Sequence, residues 1–194
     1  MLIDEAQVVE QPKPFDLNWP RYCPELTFPP YRHIPGVTPH PTKSPNGHSY
    51  GLNEVLPSAT AEPIAWSVNE AYLYGVDLYN FAYWWEAHEA WEGLWHVAED
   101  DYRLFLQGLI QVCASLIKHQ MRMIKPLQRL SIAGRTKLRE VLRTSVASSG
   151  IYRGIKLGEF LDCLDAFFLP LFQCGVSENT YTDVTAKPLI FLHF

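Results

Sequence analysis

Apolar positions recur about every 3.6 residues across two neighbouring stretches of the chain. In YWWEAHEAWEGLWHV, Trp84, Ala87, Trp91, Leu94 and Trp95 share one arc of a helical projection. That spacing predicts an amphipathic helix over about 82–97, with an aromatic stripe turned to a core. From about 102 to 121, Phe105, Leu106, Leu109, Val112, Cys113, Leu116 and Ile117 form a second arc, and Arg103, Gln107, Gln111 and Lys118 lie opposite. Between the two, Glu99-Asp100-Asp101 reads as a turn whose acids suit the start of the second helix. So short a connection predicts an antiparallel pair, with Glu92 level with Gln107 and Glu89 level with Gln111. Gly108 lowers helix propensity by about 1 kcal/mol relative to Ala, so the two backbones are expected to cross closely there.

The same periodicity predicts three more helices. One covers about 68–79, with Ser67 as N-cap, Glu70 completing a capping box and Asn80 at its end. Another starts with Pro126 in its first turn, runs through Leu127, Leu138 and Leu142, and stops at Ser148-Ser149-Gly150. A third covers about 157–169, with Phe160, Leu164 and Phe168 inward and Pro170 ending it. From Cys174 the tail, with its apolar ending PLIFLHF, reads as an extended segment without a visible partner strand.

Residues 1–63 are different in kind. They hold twelve of the fifteen prolines, which excludes repeated helix. Yet Trp19, Tyr22, Phe28, Tyr31 and Tyr50 supply more aromatic area than a disordered linker carries, so this arm is expected to lie against the helices from about residue 18. The expected organisation is an arm over 1–63, a helical domain over 64–174 and a tail over 175–194. The fold class is all-α, a bundle of about five helices with an extended Pro-rich N-terminal arm.

Composition narrows the partners. A net charge of -5 with no basic run gives no footprint for nucleic acid. No apolar run reaches the roughly 18 residues that span a bilayer, and the first residues lack a basic, then apolar, leader pattern. Cys23, Cys113, Cys163 and Cys174 show no C-x-x-C spacing, and Cys113 and Cys163 fall within apolar helical patterns, so a reducing cytoplasm is expected.

Candidate chemistry gathers on the first stretch. His88-Glu89-Ala90-Trp91-Glu92 is H-E-x-x-E, so His88 and Glu92 are candidate ligands of one divalent metal, with Glu89 as candidate catalytic base. A hydrolytic site of that kind needs a third ligand, from His119 or from the arm histidines His33, His40 and His48. The bland alternative is a self-satisfied network, in which Glu89 or Glu92 pairs with Arg103, Gln107 and Gln111 cap the remaining oxygens, and His88 donates to a carbonyl. The same groups, with tryptophan walls that include Trp85 and a lid from the arm, would also make a small-molecule or anion pocket. A protein-interaction or homo-oligomer face built on the aromatic surplus is the remaining reading.

YWWEAHEAWEGLW followed closely by RLFLQGLIQ resembles the signature of the helical family catalogued as domain of unknown function 309. The resemblance covers roughly Asn69 to Leu142, and PPYRHIPGVTPHPTKSPNGHSYG resembles the extension of that family's longer members. It implies a compact helical domain with a shared polar centre at Glu86, His88, Glu89, Glu92, Arg103, Gln107 and Gln111. It implies no activity. The stretch after Met121 departs from the family pattern in lacking a short polar loop before the fourth helix.

Overall fold

The computed structural model describes residues 10–52, 65–145, 150–172 and 187–194. Five α-helices dominate these residues: α1 (Glu70–Asn80), α2 (Trp84–Val97), α3 (Asp100–Gln120), α4 (Ile124–Ser145) and α5 (Leu157–Phe168). A two-stranded hairpin, β1 (Ile151–Tyr152) and β2 (Ile155–Lys156), sits between α4 and α5. The helical bundle expected from periodicity is present, and no helix among the described residues is long and apolar enough to cross a membrane.

Helix ends follow capping chemistry that periodicity does not resolve. α1 begins at Glu70 because Asn69, not Ser67, accepts the Tyr72 amide at 3.0 Å; Ser67 lies in a 3-10 turn over Trp66–Val68. α1 ends in a Schellman motif, with the Tyr83 amide on the Leu78 carbonyl, the Ala82 amide on Tyr79, and Ala82 in the left-handed region at φ 64°. That corner holds back the start of α2 to Trp84, two residues past the expected Ala82. α3 ends in the same motif, with Met123 bonded to Lys118, Arg122 to His119, and Arg122 at φ 54°. Only Arg122 and Met123, with the cap Met121, separate α3 from α4, so the missing polar loop is replaced by a three-residue corner. α5 gives way to a 3-10 turn (Leu169–Phe172) that contains Pro170. The expected stop at Ser148-Ser149 and the tail from Cys174 to Ala186 lie outside the described residues.

The core draws on every helix. Trp91, Phe105, Leu109, Leu116, Leu138 and Phe168 are fully buried, and Trp84 joins them. Trp91 packs closely against α1 because position 75 is glycine: a Cβ there would clash with the Trp91 ring nitrogen. The close backbone crossing is also present, but its partners differ from expectation. Gly108 faces Gly134 of α4, where a Cβ on Gly134 would lie 2.9 Å from the Gly108 carbonyl oxygen, so the contact joins α3 to α4 and not α2 to α3. Cys113 is buried as expected, whereas Cys163 is exposed on α5.

The arm and the C-terminal segment wrap this body in irregular turns. On α1, the fully buried Asp77 carboxylate accepts the Tyr22 amide at 2.7 Å and, on its other oxygen, the Cys23 amide at 2.9 Å and Arg21 Nε at 3.2 Å. Asn80, expected only to end α1, is buried and uses its amide to donate to and accept from the Ile190 backbone at 2.8 Å. The tail does find a strand partner: Leu192 forms an antiparallel bridge with Ile155, and the His193 amide bonds the Gly154 carbonyl. Arm and tail also meet directly, through Trp19 Nε1 on the Ile190 carbonyl and the Leu192 amide on the Tyr22 hydroxyl.

Candidate functional site

The polar positions of α2 divide into groups with different surroundings, because apolar arcs occupy the faces that meet α1 and α3. Trp84, Ala87, Trp91 and Leu94 point into the core. Trp85, Glu86 and Glu89 turn instead to the arm.

Glu86, in the first turn of α2, is only 6% exposed. Its Oε1 accepts the His33 backbone amide at 2.9 Å and lies 3.3 Å from His48 Nε2, so two arm residues converge on one oxygen. Oε2 is buried without a hydrogen-bond partner among the described residues. An unsatisfied buried acceptor costs about 1–3 kcal/mol, and the helix N-terminus offsets part of that for a carboxylate. Burial raises the Glu86 pKa above the ordinary carboxylate value, against its own amide, the His33 amide and His48, which all lower it.

The arm residues around Glu86 are fixed by one another. His33 Nδ1 shares a hydrogen bond with the Thr38 hydroxyl at 2.9 Å, and His48 Nδ1 shares one with the Ser49 hydroxyl at 2.8 Å. The His33 and His40 rings meet the half-buried Trp85 ring edge-on, at 5.0 and 5.4 Å between centroids. Burial, and then the neighbouring His40, lower the His33 pKa. Next to them a cleft of about 300 Å³ opens between the arm and the first two helices. Its apolar wall is made by Tyr74, Leu78, Trp85 and Ala90, its polar side by His48, Glu86 and Glu89, and Leu52 stands on the arm side.

A second cluster lies on the half-buried edge of α2. His88 Nδ1 is 3.2 Å from Glu89 Oε1 and 3.9 Å from Glu92 Oε2, and one ligand atom from each of the three falls within 4.8 Å of the others. The set could hold a divalent cation through one imidazole nitrogen and two carboxylates. Its third member is Glu89 itself. His119 instead packs on Phe167, with burial pulling its pKa down to about 4, and the arm histidines surround Trp85 and Glu86.

The expected network across α2 and α3 is not formed. Arg103 donates to the Trp95 and Ala98 carbonyls at 3.2 and 3.3 Å and stacks 4.0 Å from the Trp95 ring, where it caps the C-terminus of α2. Gln111 accepts from Lys137 of α4 at 3.1 Å. Among the described residues, no hydrogen bond or ion pair joins Arg103, Gln107 or Gln111 to Glu86, His88, Glu89 or Glu92. The physical reason is that the apolar arcs of α2 and α3 face each other, which turns the polar edges apart.

Residues 72–130 match the family model described as Domain of unknown function (DUF309). The match covers α2, α3 and most of α1, and is a likeness of this segment to that family. No curated protein and no solved structure matches the chain. The DUF309 segment holds all of α2 and α3, and with them Glu86 and the His88–Glu89–Glu92 cluster, while the arm residues that meet Glu86 lie outside it. Asp77, inside the DUF309 segment, escaped sequence reasoning. The available signal was a single carboxylate within the otherwise apolar face of YLYGVDLY.

Proposed function

We propose that this protein binds a small molecule in the cleft that the arm closes over α1 and α2. The observation that carries the reading is Glu86: a buried carboxylate on the wall of a cleft of about 300 Å³, with one oxygen held by the arm and the other without a partner among the described residues. Buried acceptors are kept where something supplies their donor, and clefts with apolar walls and few convergent polar groups are where ligands bind. The arm is then part of the site as well as a stabilising strap. Free thiols at Cys23, Cys113 and Cys163 fit a reducing cytoplasm as its location. A ligand-observed NMR screen of small fragments tests the reading. Hits are expected that weaken on Trp85→Ala; an absence of hits, or hits indifferent to that change, overturns it.

A second reading rests on the His88, Glu89 and Glu92 atoms lying within 4.8 Å of one another. They would hold a divalent cation at the edge of α2, with open positions for water, as a hydrolytic centre needs. In that arrangement Glu89 serves as ligand, which leaves the role of general base to another group. Calorimetric titration with Zn²⁺ and with Mn²⁺ is expected to give one ion per chain, lost in His88→Ala; no heat with either ion overturns this reading.

A further inference from the structure

We propose that the cleft selects an organic cation, a primary ammonium group carried on a compact apolar body; this rests on the cleft being a ligand site. Three observations point to that chemistry. The charge of the lining is one-sided among the described residues, because Glu86 and Glu89 are both part of it, no Lys or Arg among them is, and His48 is the only basic group among them. An anion would be repelled by two carboxylates, while an ammonium group would be attracted by both. The buried Oε2 of Glu86 accepts no hydrogen bond from the described residues, and an ammonium group brings up to three donors. Trp85 and Tyr74 place aromatic rings beside those carboxylates, and ring faces attract cations as well as apolar groups.

The remaining surface speaks for an organic body and not a bare metal ion. Leu78 and Ala90 line the same cleft, and its volume equals that of about ten liquid waters at roughly 30 Å³ each, enough for a ligand of about ten heavy atoms. A metal ion would leave those walls uncovered. Glu86 is also absent from the group of ligand atoms that lie close enough to share a metal. The cleft therefore differs in chemistry from the neighbouring His88 cluster, although Glu89 belongs to both.

The test uses three probes with one apolar body and different charge: phenethylamine, 2-phenylethanol and 3-phenylpropanoic acid. Each is titrated into the full chain at pH 7.5 and followed through the Trp85 indole resonance, assigned with Trp85→Phe. The amine is expected to bind at least about tenfold more tightly than the alcohol, and the acid more weakly than either. Glu86→Gln keeps a carbonyl oxygen for the His33 amide and is expected to remove the preference for the amine over the alcohol. Glu89→Gln, on a half-exposed side chain, gives the same comparison should Glu86→Gln fail to fold. Equal binding of amine and alcohol, or tighter binding of the acid, overturns the ammonium assignment and leaves the ligand cleft standing. No binding by any of the three at about 10 mM overturns both.

Discussion

Replacing Asp77 by Asn should release the arm from α1 at a cost of about 2–4 kcal/mol. The carboxylate is fully buried and accepts three donors: the Tyr22 amide on Oδ1, and the Cys23 amide with Arg21 Nε on Oδ2. An Asn side chain offers one accepting oxygen. In the better of its two orientations that oxygen takes the place of Oδ2, so Cys23 and Arg21 keep an acceptor while the Tyr22 amide faces an NH₂ group. One buried N–H without a partner costs about 1–3 kcal/mol. The Arg21 guanidinium, 22% exposed, also loses its counter-charge, which adds about 1 kcal/mol in so partly solvated a position. The opposite orientation strands two donors and costs more. Urea denaturation with linear extrapolation gives the stability change. Tryptic cleavage after Arg21 and Arg32 reports release of the arm, since both side chains are now tied down, Arg32 by the Phe81 carbonyl. A loss below about 0.5 kcal/mol with unchanged cleavage would refute the idea that Asp77 anchors the arm.

Three further perturbations probe separate parts of the fold. Gly134→Ala gains up to about 1 kcal/mol of helix propensity but sets a Cβ 2.9 Å from the Gly108 carbonyl, so a net loss of about 1–2 kcal/mol is expected by chemical denaturation, and a net gain would show that α3 and α4 separate easily. Arg122→Gly relieves a left-handed residue on an exposed corner and should stabilise by about 0.5–1 kcal/mol after the entropy of glycine is subtracted; a lower denaturation midpoint would contradict the Schellman assignment. Burial pulls the His119 pKa from 6.5 to about 4, so the unfolded chain binds more protons in that window and stability falls as pH drops from 6.5 towards 4, by about 3 kcal/mol at most. His119→Leu should flatten the stability profile between those values, and an unaltered slope would assign the acid sensitivity to other groups.

The helices were legible because their apolar faces repeat with the period of the helix, and Trp91 and Leu109 are buried as that period requires. Their starts were less so, because Ser67 and Asn69 are both competent N-caps and only the turn before α1 chooses between them. Arg103 shows why the polar centre was misassembled. Counting residues outward from a turn places side chains level with each other but not on the same side of the pair, and the Trp95 ring with the free carbonyls of α2 offered the guanidinium a nearer partner. Glu86 and Trp85 were visible as site residues on α2, but the His33 amide and the His48 ring that meet Glu86 come from positions 53 and 38 residues away in an arm with no periodicity. Contacts of that kind leave no local pattern.

The seam where arm and tail meet bears on the rate of unfolding more than on the rate of folding. Trp19 bonds Ile190 and Tyr22 bonds Leu192 across 171 and 170 residues of chain, whereas the helical hairpins close over short turns. Contacts between such distant residues are expected to form late, after the helices have docked, and therefore on the native side of the folding barrier. Tyr22→Phe, which removes the acceptor of the Leu192 amide, should then steepen escape from the native state while leaving the refolding limb of a chevron in place. If instead the refolding limb slows and the unfolding limb does not move, the seam is an early nucleus and the helices assemble around it.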